Sequence, residues 1–247
     1  MVELIVSFLF DEISFFNLFS YLSTRTILST LTSLLLVLIF GEGFIRLISS
    51  FQFNQTFDGR APERHMVKHG TPTMGGILIV SSVLISGILW GNLFDKYLIL
   101  GLICIVGFAI IGFIDDYKKV KTESSKGLSS IEKIFFQSIL AGIISISLFM
   151  LAVDKNELIY IVPFFKNVAL DLGIFFIFIS IFIIVGSSNA VNLTDGLDGL
   201  AILPVIIITS ALGIIAWAAG NVIASDYLYI PYVEGTGELL VLSLIHI

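Results

Sequence analysis

Two adjacent aspartates, Asp115 and Asp116, directly follow the apolar segment 97–114. Ionised groups at the edge of a hydrocarbon layer are costly and usually mark function. The two carboxylates repel each other, so we expect a cation, protonation or water to relieve the repulsion. Several lysines come next, and Lys133 lies a little further along. Carboxylates suit Mg²⁺ and ammonium groups suit phosphate, whereas a solvated charged loop would explain the lysines alone.

A second polar stretch, residues 188–199 (SNAVNLTDGLDG), separates two apolar runs. It holds Asn192, Asp195 and Asp198, and glycines frame the acids. These residue types are typical of turns and helix caps, so we predict that the backbone breaks here. A plain turn between two membrane helices needs one such side chain rather than three. We therefore interpret the stretch as a binding loop.

A third polar segment, Arg64–Gly76 (RHMVKHGTPTMGG), precedes another apolar run. Lys68 and the hydroxyl of Thr73 could bind phosphate or sugar. His65 and His69 have the i, i+4 spacing of a zinc site on a helix. A glycine and a proline follow them closely and disfavour a helix there, so ordinary interfacial histidines are the preferred interpretation.

The composition excludes a soluble domain. Hydrophobic residues make up 57% of the 247 and charged residues only 13%, whereas a soluble domain of this size would carry roughly twice that charge. The single cysteine, Cys104, lies inside an apolar run and cannot form an internal disulfide. We interpret it as a buried structural thiol.

Uncharged stretches long enough to cross a bilayer, about 17–25 residues, recur along the chain. They predict an all-α fold: a polytopic transmembrane bundle with six full spans and the start of a seventh at 238–242. Residues 4–19 are interpreted as an interfacial helix. The six predicted spans are Tyr21–Ile48, Thr73–Gly91, Tyr97–Ile114, Ile134–Val153, Leu172–Val185 with its flanks, and Leu200–Ala219.

Lysine and arginine set the orientation of the chain. Loops 43–72, 115–133 and 188–199 hold nine of them, against four in the other loops and the N-terminal segment. The positive-inside rule places the first set in the cytoplasm and the N-terminus outside. All four aspartates then lie on one membrane face. Clustered carboxylates imply a divalent cation and lysines a polyanionic substrate, which favours phosphoryl transfer between a soluble phosphate compound and a lipid phosphate.

Three motifs resemble those of the bacterial phospho-N-acetylmuramoyl-pentapeptide transferases, the MraY family of the polyprenyl-phosphate N-acetylhexosamine-1-phosphate transferase superfamily. They are KHGTPTMGG at 68–76, GFIDDYKKV at 112–120 and NAVNLTDGLDGLA at 189–201. The resemblance implies Mg²⁺-dependent transfer of phospho-MurNAc-pentapeptide from its UDP carrier to undecaprenyl phosphate, giving lipid I and UMP. It also implies a homodimer of about ten helices per chain in the bacterial inner membrane, with its active site on the cytoplasmic face and no nucleic-acid partner.

The same resemblance assigns roles to individual residues. Asp115 and Asp116 are the paired acids and candidate Mg²⁺ ligands. We expect Asp115 to deprotonate the lipid phosphate, which attacks the β-phosphate of the UDP-sugar, while Asp116 helps to hold Mg²⁺ or the pyrophosphate. A covalent aspartyl intermediate is the alternative mechanism. The other expected substrate contacts are Asn192 and Asp195 at the uridine–sugar end, Asp198 supporting the same loop, Lys68 and Thr73 in the first loop, and Lys133 near the pyrophosphate.

One departure concerns the end of the chain, Ser243–Ile247, which does not resemble the family. The family places a further Mg²⁺-binding aspartate and a histidine-rich loop in its last third. We therefore expect one membrane domain, residues 1–247, that is C-terminally truncated and could be inactive by itself.

Three other functions stay open. The nearest is a sister enzyme that transfers GlcNAc-1-phosphate to the same lipid, which the TPTMGG stretch disfavours. An ion-coupled transporter would tend to place its carboxylates near mid-bilayer, whereas the aspartates here are expected at one water-facing end of the spans. A scaffold without chemistry would leave the paired acids unexplained.

Overall fold

The computed structural model describes residues 14–50, 74–122, 127–162, 169–194 and 200–245. Helices dominate these ranges, and the two strands form one short antiparallel hairpin. Short 3₁₀ helices occur at Ser14–Ser20, Lys155–Leu158 and Thr236–Glu238. The α-helices are α1 (Leu22–Ser50), α2 (Gly76–Trp90), α3 (Lys96–Lys121), α4 (Ser130–Leu151), α5 (Phe175–Thr194), α6 (Ile202–Ala219), α7 (Val222–Leu228) and α8 (Leu239–Ile245); the strands are β1 (Ile159–Ile161) and β2 (Ala169–Asp171).

The predicted all-α membrane bundle is confirmed. Five helices, α1 and α3 to α6, are long and apolar enough to cross a membrane. Helix α2 differs from the prediction of six full spans, because its 15 described residues rise about 22 Å, less than the hydrocarbon thickness of about 30 Å. Helix α8 corresponds to the predicted start of a seventh helix. Of the predicted interfacial helix, the structure describes only the 3₁₀ turn from Ser14.

The core lies where α8 meets α2 and α3. Val241, Leu242 and Ile245 of α8 pack against Val83 of α2 and against two leucines of α3. Glycines make this close approach possible, since a Cβ on Gly101 would lie 2.8 Å from a methyl carbon of Leu242. Small residues at helix contacts are typical of membrane bundles.

The end of the bundle near α8 is held by a buried ion pair. Arg25 of α1 and Glu238 approach to 2.6 Å, with side chains only 4% and 12% exposed. Glu238 also accepts a hydrogen bond from the backbone N–H of Asn92, at 3.1 Å. This carboxylate therefore ties α1 to the connection between α2 and α3.

A second carboxylate, Glu157, organises the connection between α4 and the hairpin. Lys96 Nζ lies 2.6 Å from it, and the hydroxyl of Tyr97 donates to it at 2.5 Å. Burial opposes ionisation of Glu157, but these two donors and the N–H groups of Val153 and Asp154 outweigh burial and lower its pKa to about 2. The hairpin is thus fixed to the start of α3.

Two predicted loops are helical. Helix α3 continues beyond the predicted end at Ile114 to Lys121, because lysines in its last turn complement the helix dipole and pair with aspartates one turn earlier. Helix α5 continues to Thr194. The prediction of a backbone break is therefore wrong for residues 188–194, while 195–199 lie outside the described residues.

Candidate active site

Asp115 lies in the final turns of α3 with its carboxylate buried, 7% exposed. One oxygen, Oδ1, accepts the backbone N–H of Leu128 at 2.7 Å. The other, Oδ2, faces two ammonium groups, Lys119 Nζ at 2.7 Å and Lys133 Nζ at 3.1 Å. Both oxygens are therefore engaged, which is what a buried carboxylate needs to stay charged.

The connection between α3 and α4 is shaped to reach Asp115. A Cβ on Gly127 would overlap Oδ1 of Asp115 and lie 2.8 Å from the Cε atom of Lys119, so any other residue would force one of these side chains to shift. Helix α4 then begins with a capping box in which Ser129 and Glu132 satisfy each other's backbone N–H groups. These local features fix the first turn of α4, which carries Lys133.

Asp116 has a different environment from its neighbour. Its side chain is 40% exposed, and Lys119 Nζ lies 3.1 Å from its Oδ1. Among the described residues no hydrogen bond reaches its Oδ2. The carboxylate also borders a mainly apolar cavity of about 440 Å³ between α2 and α3. Asp116 is thus accessible to a ligand in a way that Asp115 is not.

The cluster and its rim hold equal numbers of carboxylates and ammonium groups. Two carboxylates face Lys119 and Lys133, and the more exposed Lys118 lies 3.7 Å from Glu132. Each lysine keeps further donor positions, because an ammonium group has three N–H bonds. The cluster can therefore bind phosphate oxygens without first breaking every internal ion pair.

The C-terminal end of α5 lies beside the first half of α4. The amide of Asn189 donates to Oε1 of Gln137 at 2.7 Å. Asn192 follows on the next turn of α5 and is exposed. Asn192 and the Asp115 cluster therefore lie at the same end of the bundle.

The structure brings together part of the predicted site. Asp115, Asp116 and Lys133 form one cluster, whereas no described contact links Asn192 to it. Lys68, Thr73, Asp195 and Asp198 lie outside the described residues, as do His65 and His69; their roles stay predictions.

The described acids suit a magnesium ion that is bound jointly by the protein and the substrate better than one that is held by protein side chains alone. In the described ranges, no group of three or more His, Cys, Asp and Glu side chains is arranged to hold a metal. Asp116 does offer an accessible oxygen beside Asp115. Mg²⁺ commonly takes one or two carboxylates and completes its shell with water and substrate phosphates. Of such a shell, the described residues could supply the carboxylate of Asp116, since both oxygens of Asp115 already have partners.

Sequence reasoning missed several members of the cluster. Lys119 contacts both acids, and its i+3 and i+4 spacing from them was the available signal. The N–H of Leu128 left no signal, because it depends on the path of the connecting segment. Outside the cluster, Gln137 could have been found as an amide one turn beyond Lys133 within an apolar run.

Comparison with known proteins decides the family. A model described as glycosyl transferase family 4 matches residues 98–243, more than half of the chain. The chain belongs to this family. A shorter model, phospho-N-acetylmuramoyl-pentapeptide-transferase signature 1, matches residues 68–80. This member of glycosyl transferase family 4 is a phosphoglycosyl transferase, a multi-pass membrane enzyme that acts on a polyprenyl phosphate, and the resemblance drawn from the three motifs is confirmed.

Proposed function

We infer that this enzyme transfers phospho-MurNAc-pentapeptide from UDP-MurNAc-pentapeptide to undecaprenyl phosphate, giving lipid I and UMP. The observation that carries the inference is the cluster of Asp115, Asp116, Lys119 and Lys133 at one end of two membrane helices. The signature at residues 68–80 favours the muramoyl donor over UDP-GlcNAc.

The lysines supply the contacts for the diphosphate of the donor. Lys119 and Lys133 converge on one oxygen of Asp115, so their ammonium groups lie close together. A diphosphate carries closely spaced negative oxygens that such a pair can bind. Asn192, with Asp195 and Asp198 beyond it in sequence, would contact the uridine and sugar, and Lys68 and Thr73 would contact the substrate from the first loop.

The acceptor would reach the site from the membrane side. Asp116 borders the apolar cavity between α2 and α3 and is partly exposed. An acid at such a boundary can meet a lipid phosphate whose chain stays in apolar surroundings. This arrangement supports a lipid acceptor and argues against a transporter with mid-bilayer carboxylates.

The reaction exchanges one phosphoanhydride bond for another. An aspartate takes the proton of the lipid phosphate, whose oxygen attacks the β-phosphorus of the UDP-sugar, and the bond to the α-phosphate breaks to release UMP. The sequence favours Asp115 as this base, but its oxygens already accept three donors, so Asp116 is the competing choice. In the covalent alternative, an aspartate oxygen attacks the β-phosphorus first and the bond to the α-phosphate breaks to release UMP; an oxygen of the lipid phosphate then attacks the same phosphorus and displaces the aspartate.

Asp116, with Asp115 beside it, would hold Mg²⁺ together with diphosphate oxygens. Bound there, the cation neutralises charge on the phosphoryl group being transferred. In this arrangement Lys119 and Lys133 orient the diphosphate, and Asp115 keeps both lysines in place.

The proposed setting is the bacterial inner membrane with the cluster facing the cytoplasm, since the lysines at the end of α3 and the start of α4 lie at that end. The chain is proposed to act as a homodimer. The sidedness can be tested with single cysteines at the exposed positions 131 and 193, labelled from either side of sealed vesicles. Both cysteines should react with a reagent added on the cytoplasmic side.

The decisive experiment measures UMP release by the whole gene product in detergent. UDP-MurNAc-pentapeptide and a polyprenyl phosphate should yield UMP and a lipid diphosphate-sugar identified by mass spectrometry, and chelation by EDTA should stop the reaction until Mg²⁺ is restored. Release of UMP from UDP-GlcNAc but not from the muramoyl donor would instead establish the sister activity.

A further inference from the structure

Gln137 is an unusual residue for the interior of α4. Its side chain is 6% exposed, and among the described residues it is the one buried amide. Most other buried polar side chains are hydroxyls, and those of Thr26 and Ser29 donate to carbonyls of their own helix. An amide is costly to bury in a membrane helix unless a partner satisfies it. Gln137 therefore calls for an explanation beyond packing.

Its partner is on another helix. Asn189 of α5 donates to Gln137 Oε1 at 2.7 Å and to its own helix, at the carbonyl of Val185, at 2.8 Å. The Gln137 amide in turn lies 3.5 Å from Oγ of Ser188. The two amides thus form a bridge between α4 and α5.

The bridge lies one turn from two groups that the proposed reaction uses. Lys133, which contacts Asp115, precedes Gln137 by four residues and so lies on the same face of α4. Asn192 follows Asn189 by three residues on α5. The bridge therefore joins the two helices that carry Lys133 and Asn192, one turn away from each of these residues.

The rest of the contact between α5 and α4 is mainly apolar, as where Ile181 lies against Gly142. None of its residues is buried, whereas α4 buries four. A helix held only by an apolar surface can slide or rotate at low cost, but an interhelical hydrogen bond is directional. The register of α5 against α4 should then depend on the amide pair.

We propose that Gln137 and Asn189 are positioning residues that fix α5 against α4 and so set the spacing between the lysine cluster and Asn192. The inference rests on the proposed function, because this spacing would match the distance from the diphosphate to the nucleoside of a UDP-sugar. Neither residue touches the reacting atoms.

Steady-state kinetics test the proposal with Gln137→Leu, Asn189→Leu and the exchange variant Gln137→Asn/Asn189→Gln. Interhelical hydrogen bonds measured in membranes correspond to about three- to eighteenfold in an equilibrium constant. We expect each leucine variant to raise the KM for the UDP-sugar by that factor and to leave the KM for the lipid unchanged. The exchange variant can restore an amide bridge, so its KM for the UDP-sugar should be close to that of the wild type.

The matched control is Ser145→Ala. Ser145 is also buried in α4, two turns from Gln137, and in the described part of the chain its hydroxyl has no hydrogen-bond partner. Its variant should keep both KM values. A merely structural role for the amides would lower the amount of active enzyme, and hence Vmax, with both KM values unchanged; that result overturns the proposal, as does failure of the exchange variant to recover.

A distance measurement needs no activity. Spin labels at positions 131 and 193, which are 82% and 83% exposed on α4 and α5, can be introduced after Cys104→Ala removes the one native cysteine. Gln137→Leu should shift or broaden the label–label distance distribution, and the exchange variant should restore it. An unchanged distribution in Gln137→Leu overturns the proposal. If the distances respond as expected while the wild type transfers no phospho-sugar, the positioning pair stands and the proposed function fails.

Discussion

Lys133 Nζ lies 3.1 Å from Oδ2 of Asp115, although the two residues are 18 positions apart. The contact joins the end of α3 to the first turn of α4, and Lys119 shares the same oxygen at 2.7 Å. One buried carboxylate thus holds two ammonium groups at the candidate site. Asp115 has a structural duty as well as any chemical one.

The two adjacent acids should respond differently to the same substitution. Asp115→Asn removes a buried charge that pairs with two partly exposed lysines, so the melting temperature and the activity should both fall. Asp116→Asn alters a partly exposed group, so the protein should melt as the wild type while kcat falls about 10²-fold or more. Thermal unfolding in detergent and UMP release measure the two effects.

The comparison also decides between the two candidate bases. If Asp116→Asn keeps full activity and Asp115→Asn is folded but inactive, the choice of Asp115 made from the sequence is correct. If both variants lose activity and only Asp115→Asn loses stability, the result favours Asp116 as the group that takes part in the reaction.

A side chain at position 127 should lower the stability and the activity of the enzyme. Gly127→Ala would drive a methyl group into the Asp115 carboxylate, and overpacking of this kind costs about 1–3 kcal/mol. We expect lower stability and reduced UMP release, because the connection that carries the Leu128 N–H must move. Gly186→Ala is the matched control, since nothing lies within 4 Å of a Cβ built there. Equal behaviour of the two variants would show that the 127–128 segment does not determine the position of Asp115.

Much of the fold could be predicted from the sequence because apolar length is a direct signal for a membrane helix. The ends of the helices were harder. Asp115 and Asn192 were both expected in loops, yet both are helical. Charged and polar residues near a helix end can be stabilised by the dipole and by i, i+4 pairs, so polarity alone does not mark the boundary.

The site was only partly predictable for a related reason. Motif spacing identified Asp115, Asp116 and Lys133, which the structure brings together. The backbone N–H of Leu128 carries no sequence signal, and the Gln137–Asn189 bridge depends on which helices are neighbours. Such contacts follow from the arrangement of the bundle rather than from any local pattern.

The buried pair of Arg25 and Glu238 should contribute to stability rather than to catalysis. Glu238→Ala leaves Arg25 in nearly complete burial, so we expect a loss of about 3–5 kcal/mol. The exposed pair of Glu42 and Arg46, 86% and 78% exposed, is the control, and Glu42→Ala should change the melting temperature little. Comparable losses in both variants would mean that burial of the Arg25 pair adds nothing.

Glu157 should make stability depend on acidity at the hairpin end. Its pKa in the folded protein is about 2, below the ordinary value of 4.5, so its contribution to stability is fully present above pH 4.5 and is lost as the pH falls from there towards 2. The wild type should therefore melt well above Glu157→Gln at pH 6, and the difference should shrink steadily below pH 4.5. Tyr97→Phe, which removes one of the donors to Glu157, should give an intermediate dependence. A difference between wild type and Glu157→Gln that stays constant from pH 6 to pH 3 would show that the Lys96 and Tyr97 contacts do not favour the ionised carboxylate.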